Sequence, residues 1–301
     1  MPELILHHYD TSPFSEKPRV MFGVKGLGWR SVIQPVIMPK PQLVPLTGGY
    51  RRIPVMQAGA DVYCDTKVIL AEIERRFPGP KVIHGGDWEA NLAADRPWFQ
   101  ATVVLVFGEI GENVPREFIA DREKLSGRPF DTAAMKTAAP TMRQAWRHHA
   151  EEIEAGLAGA EFLGGEQASL ADVAGYMNVW WLGLAAPKVA DELLDGLPRT
   201  LAWRDRVRAI GHGRRSEMTP AEALDAARAA QPAPAPEHTD PDLAPGDPVS
   251  VAADDYGKDP IEGPLVAATD ERVTIVRDDA DLGRLHIHFP RSGYILARAG
   301  S

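Results

Sequence analysis

The hydrophobic spacing of this chain switches along its length, and the order of the switches limits the fold more than any single motif does. Through residues 1–80 short apolar runs alternate with helical stretches. ELILHHY reads as a strand from Leu4 to His8, followed by a turn and a helix to about Gly26. WRSVIQPVI reads as a second strand and IPVMQAGADVYC as a hairpin. DTKVILAEIERRF closes the unit as a helix, with Val68, Ile69, Ile73 and Phe77 on one side and Asp65 as its cap. The segment PKPQLVPLTGGYRR, with three prolines and a Gly-Gly pair, reads as loop. The order β-α-β-β-β-α implies one parallel pair extended by antiparallel strands. Residues 86–230 carry helical spacing almost throughout. SLADVAGYMNVWWLGL is the most apolar and reads as the central helix, and a long helix from Asp131 is expected to bend at Pro140. Residues 231–246 form a Pro-rich linker, and 247–301 break into short alternating runs that read as four or five strands of a small barrel or rolled sheet. The expected fold class is therefore multidomain: an α/β unit, an all-α unit, then a small β-barrel-like module.

Bulk composition narrows the partners. A formal net charge of -9 argues against nucleic acid or an anionic membrane as the main partner. No apolar run is long enough to span a bilayer, and the first residues lack a signal-peptide pattern, so the chain reads as cytoplasmic. Cys64 is the single cysteine, which excludes an internal disulfide, and it reads as a buried, inert thiol.

The stretch most suggestive of chemistry is Ser12-Pro13-Phe14-Ser15, the spacing of a C-x-x-C redox motif with serine at both ends. The first strand ends near Tyr9, and Pro18 is harmless only in the first turn of a helix, so Ser12 sits at a helix N-terminus. Unpaired N–H groups and the helix dipole favour an anion there. A hydroxyl donating to a bound thiolate contributes about 1.5–3 kcal/mol and the helix end about 0.3–2 kcal/mol. Lowering a thiol pKa by about two units takes about 2.7 kcal/mol, so the two effects together suffice without a general base. Taken alone, S-P-F-S is better read as a plain N-cap.

The surroundings favour the first reading. The stretch resembles the N-terminal domain of the glutathione transferase superfamily, in particular its tau- and omega-like branches, which carry Ser-Pro-Phe or Cys-Pro-Phe and an Arg seven residues after the Ser or Cys, as Ser12 and Arg19 are spaced here. RRIPV is similar to the family's Val/Ile-Pro, and YCDTKVI to its Glu/Asp-Ser turn. FLGGEQASLADVA is similar to the F-L-x-G run and S-x-x-D box that open the family's buried sixth helix, with Ser169 and Asp172 as the box. The resemblance implies a thioredoxin-like first domain, an all-helical second domain and a homodimer.

It also implies a site. Ser12 contacts the glutathione sulfur, with Tyr9 as the rival hydroxyl, because other branches use an early tyrosine. Ile53 offers its backbone to the cysteinyl part, Pro54 is cis, and Asp65 and Thr66 hold the γ-glutamyl group. Arg52 takes the place of the family's lysine toward the glycyl carboxylate, with Arg51 and Lys40 as alternatives. The departure is the loop before Pro54, where LTGGYRRIP replaces the usual Asn-Pro-x-Gly-Lys. Phe14, Trp98, Phe99 and Trp180 are candidates for the wall of a pocket between the domains, where an electrophile would sit. Trp180 and Trp181 cannot share a helix face, so one of them is free for that role. His286 and His288 alternate in LHIHF as a metal-binding pair would, but without a clear third ligand nearby they read as the polar face of a sheet, and no metal is expected.

The function implied is a glutathione transferase joining glutathione to a small hydrophobic electrophile. Two alternatives stand beside it: a non-catalytic protein of the same fold whose C-terminal β module binds a partner, and a glutathione-dependent lyase or isomerase using the same site.

Overall fold

The computed structural model describes residues 2–300. Its first unit has the expected order: β1 (Ile5–His8), α1 (Pro13–Val24), β2 (Gly28–Ile33), β3 (Val55–Ala58), β4 (Asp61–Cys64) and α3 (Thr66–Arg76). β1 pairs parallel with β2 and antiparallel with β3, and β3–β4 is the hairpin. The segment expected to be loop holds one short helix, α2 (Val44–Thr47), entered through Pro45 and left through Gly48 at φ 67°.

The helical half comprises α4 (Asp87–Ala93), a π turn at Ala94–Trp98 around Pro97, α5 (Phe99–Ile110), α6 (Arg116–Ser126), α7 (Thr132–Gly156), α8 (Leu170–Ala185), α9 (Pro187–Leu194), α10 (Pro198–Ile210) and α11 (Pro220–Arg228). The π turn absorbs Pro97 by giving up the tighter hydrogen-bond pattern that a proline breaks. The most apolar helix, α8, is the buried one. Its Ser169–Asp172 capping box is fully formed. Asp172 also accepts the Trp203 indole N–H at 2.7 Å and the Leu163 N–H at 2.8 Å, so one carboxylate ties the preceding loop to α10.

The C-terminal strands β6 (Pro248–Ala253), β7 (Ile261–Ala268), β8 (Arg272–Asp279), β9 (Gly283–Pro290) and β10 (Tyr294–Arg298) form a sheet, as their alternation predicts. That sheet continues into the first unit: β9 pairs parallel with β4, matching Val62 with Ile287. At the other edge β5 (Arg214–Glu217), an exposed strand, pairs parallel with β2. The order is β10-β6-β7-β8-β9-β4-β3-β1-β2-β5. One apolar cluster spans the join, with Val62 and Cys64 packed among Ile275, Ile287 and Phe289.

Polar ties seal the same seam. His288 Nε2 lies 2.9 Å from Asp61 Oδ1, its Nδ1 2.9 Å from Thr274, and its ring stacks on Tyr63. Arg272 pairs with buried Glu72 at 2.8 Å. Burial alone would raise the Glu72 pKa, but hydrogen bonds from Arg75 and Arg76 and the charge of Arg272 hold it far below the carboxylate range. The Pro-rich segment lies against the sheet, where the Ala233 N–H donates to Asp61 and the Thr239 N–H to the Ala268 carbonyl, each at 2.9 Å. No helix is long and apolar enough to cross a membrane among the described residues.

Candidate functional site

Ser12 is the N-cap of α1, with Pro13 as the first helical residue; its Oγ accepts the Ser15 N–H at 3.2 Å. Accepting that bond leaves the hydroxyl hydrogen free to donate. The turn before it is held by Arg19, which is buried. Arg19 pairs with Glu16 at 2.6 Å and donates to the carbonyls of Asp10 at 3.0 Å and Ser12 at 3.4 Å. The seven-residue interval between Ser12 and Arg19 thus has a structural cause: the guanidinium gathers the carbonyls of the turn, including that of Ser12, which also accepts the Glu16 N–H at 3.2 Å.

Two adjacent cavities beside this turn share lining residues. The larger, about 430 Å³, is bounded by Pro54, Asp65, Thr66, Lys67, Asn91 and Tyr294 among others. The smaller, about 210 Å³, is bounded by Tyr9 and Ser12 on one side and by apolar side chains of α5, α6 and α8 on the other. Phe14, Arg52, Ile53, Phe99 and Tyr256 line both. The eight residues singled out from the sequence therefore converge. Tyr9 and Ser12 face the smaller cavity, Pro54, Asp65 and Thr66 the larger, and Phe14, Arg52 and Ile53 their shared boundary. Of the aromatic candidates, Phe99 is on the boundary, edge-on to Phe14 at 4.6 Å. Trp98 is instead packed under it against Trp146, and Trp180 lies against Arg19, so of the adjacent pair Trp181 is the one on the wall of the smaller cavity.

The backbone at the larger cavity is unusual in two places. The Ile53–Pro54 peptide is cis, and Asp65 has φ 92°, the one positive φ outside glycine among the described residues. A left-handed non-glycine residue costs of order 1–3 kcal/mol and persists only where its surroundings impose it. Here the strain lets Asp65 cap α3, with Oδ1 on the Lys67 N–H at 2.8 Å, while Oδ2 accepts the Tyr294 hydroxyl at 3.3 Å. Burial raises the Asp65 pKa, and the nearby Asp95 carboxylate adds to the rise. Asp95 is itself tied to the buried Lys17 at 2.7 Å and to Asn91 at 2.9 Å, and the Asn91 Oδ1 is buried without a partner. Asp65 and Asn91 thus offer acceptors where a cation is the favoured occupant.

Part of the wall of the larger cavity comes from the C-terminal module, through Asp255, Tyr256, Ser292, Gly293 and Tyr294, none of them singled out from the sequence. Arg52 pairs with Asp255 at 2.6 Å and stacks on Tyr256 at 4.0 Å, while its buried Nε has no partner. Lys67 donates to Ser292 and lies 5.3 Å from the Trp88 ring centre. The Tyr294 and Tyr50 hydroxyls lie 3.2 Å apart, and with the Tyr294 hydrogen on Asp65 it is Tyr50 that donates between them; burial raises the pKa of both phenols, so both stay neutral. The pair His286 and His288 lies at the β4–β9 seam, away from both cavities, and among the described residues no group of three or more His, Cys, Asp or Glu side chains is disposed to hold a metal.

Comparison with known proteins identifies the family. Residues 6–81 match the family model for the glutathione S-transferase N-terminal domain, and residues 117–206 match that for its C-terminal domain. A solved GST-like protein from Pseudomonas syringae is 36% identical, with 99% of this chain and 100% of that chain covered and a TM-score of 0.81, so the likeness extends through the C-terminal strands. A glutathione S-transferase from Methylobacterium radiotolerans, solved with glutathione sulfonate, is 18% identical over 72% of this chain and 97% of its own, TM-score 0.53. The beta-etherase LigF from Sphingobium is 16% identical over 68% and 95%, TM-score 0.51. The last two likenesses concern the fold. The comparison with curated proteins gives no match.

Proposed function

Because the chain belongs to the glutathione transferase superfamily, we propose that it is a glutathione transferase, with glutathione in the larger cavity and a small hydrophobic electrophile in the smaller. The observation that carries this reading is the meeting of the two cavities at Phe14, Ile53 and Phe99, next to Ser12. A tripeptide lying in one reaches the other with its thiol.

In this reading Asp65 takes the α-ammonium of the γ-glutamyl end, and the cation draws its raised pKa back down. The Thr66 N–H at the start of α3 takes the α-carboxylate. Ile53 aligns the cysteinyl backbone ahead of Pro54, and the unpartnered Arg52 Nε is left for the glycyl carboxylate. Ser12 donates its hydroxyl hydrogen to the thiolate, with the N-terminus of α1 behind it; Tyr9 is the competing donor. The thiol proton leaves to solvent, and the sulfur attacks a carbon held by Phe99 and Trp181. Rate comes from thiol activation and from proximity. The reading carries a homodimer in the cytoplasm with it.

The test is a glutathione titration followed by thermal unfolding, then conjugation of chlorodinitrobenzene. Saturable stabilisation with turnover supports the proposal. Absence of any stabilisation by glutathione overturns it.

A further inference from the structure

The smaller cavity is lined by two unlike sets of side chains. One is an aromatic box: Phe107 stands 4.8 Å from Phe130 and 5.6 Å from Phe118, and Trp181 stacks on Phe99 at 5.6 Å. The other set is cationic. Lys40, Arg51, Arg52 and Arg122 line the cavity, and no carboxylate lines it among the described residues. The larger cavity, by contrast, is lined by charges of both signs, including Asp65, Asp95, Lys67 and Arg96.

The cations are not all answered from behind. Arg52 has Asp255, and Arg51 has Asp121. Lys40, which is 3% exposed, hydrogen-bonds the Val36 carbonyl at 3.2 Å. Arg122 donates to that same carbonyl at 3.2 Å, lies 3.5 Å from the other oxygen of Asp121, and stacks on Phe118 at 4.6 Å. Two buried or half-buried cations thus share one neutral acceptor, with a single carboxylate between Arg51 and Arg122. Burial and the charge of Arg122 lower the Lys40 pKa to about 8, the direction expected of a cation set among like charges. A positively charged pocket with low-dielectric walls concentrates anions. A cavity of about 150 Å³ takes up benzene, so about 210 Å³ has room for one substituted ring.

We infer that the electrophile of this protein is an aromatic acid, its ring among Phe99, Phe107 and Trp181 and its carboxylate at Lys40 and Arg122. This rests on the glutathione-transferase reading for its chemistry, though not for its binding. In the simplest such reaction the thiolate sulfur bonds the ring carbon that carries chloride, the carbon–chlorine bond breaks, and chloride leaves with the electron pair; the thiol proton has already passed to solvent.

Two measurements on the full chain separate the parts. The first is calorimetric titration with dinitrobenzoate and with uncharged dinitrobenzene, in the absence of glutathione. A hydrogen bond to a charged group supports about tenfold tighter binding of the benzoate. Arg122→Gln and, independently, Lys40→Gln should remove most of that preference. The second is conjugation of chlorodinitrobenzoate and chlorodinitrobenzene, each rate divided by its uncatalysed rate with glutathione. The ratio should favour the acid about tenfold and fall in both variants. Charge-selective binding without conjugation supports the anion site and overturns the transferase reading. Conjugation of both compounds with no selectivity in binding or rate overturns the anion site and leaves the transferase reading standing. Arg122→Gln raising the KM for glutathione with the selectivity ratio unchanged overturns it too, by giving the cations to the glycyl carboxylate.

Discussion

Replacing Ser12 by alanine removes two interactions that can be measured apart. The first is the cap: Ser12 Oγ accepts the Ser15 N–H at 3.2 Å, and loss of an N-cap costs about 1 kcal/mol of stability. The second is the proposed donor to the glutathione sulfur. Ser12 is 2% exposed, so solvent offers little replacement for that donor. A hydrogen bond to a charged partner contributes about 1.5–3 kcal/mol, so its loss raises the pKa of the bound thiol by about 1–2 units and lowers conjugation near neutral pH by about 10–100-fold. Thiolate absorbance of the glutathione complex, titrated against pH, reads the second effect, and thermal unfolding reads the first. Ser12→Thr keeps a hydroxyl and a capping oxygen and should restore most of both. Tyr9→Phe should lose less than Ser12→Ala. An unmoved thiol titration in Ser12→Ala, or loss of conjugation in Tyr9→Phe alone, would refute the assignment.

The remaining expectations concern the β module and acid stability. Tyr294→Phe removes the hydroxyl that holds Asp65 at 3.3 Å and should raise the KM for glutathione about tenfold with little change in unfolding temperature; an unchanged KM removes Tyr294 from the site. Asp61→Asn weakens the link to His288 and to the Ala233 N–H, and should cost about 1.5–3 kcal/mol in urea unfolding; a change of a few tenths would show the seam to be held by apolar packing alone. Burial lowers the His7 pKa to about 4, and burial with the nearby Arg19 lowers that of His8 to about 3, from 6.5. The unfolded chain therefore takes up protons first, so stability is full above about pH 6.5 and falls as the pH drops through 4 toward 3, by several kcal/mol in all. A urea midpoint that stays level across that window would contradict the neutral burial of these two rings.

What was legible in the sequence was local. The interval from Ser12 to Arg19, the Asp65-Thr66 helix start and the Ser169–Asp172 box each lie within one turn or one helix, where spacing fixes geometry. Choices between neighbours were less legible. Helical periodicity says that Trp180 and Trp181 diverge, but only the packing of α8 between α1 and α5 puts Trp181 on the cavity beside Phe99 and Trp180 on Arg19. RRSE, the strand β5, has no apolar alternation because all four residues are exposed; its register with β2 is a backbone property. Asp255, Tyr256 and Tyr294 reach the site through a pairing between residues more than 200 positions apart, and no local pattern encodes that.

The same pairing gives the β module its place in the molecule. A thioredoxin-like sheet ending at β4 would present an open strand edge, with unpaired N–H and C=O groups. β9 covers that edge in parallel register, and the buried contacts Asp61–His288 and Glu72–Arg272 fix it there. Once β9 is fixed, the turn into β10 must fall over the start of α3, which brings Ser292 to Lys67 and Tyr294 to Asp65. The loop between β6 and β7 lands on Arg52 in the same way. Edge protection and the wall of the larger cavity are therefore one structural consequence, and a substitution that loosens the seam should weaken glutathione binding in proportion as it lowers stability.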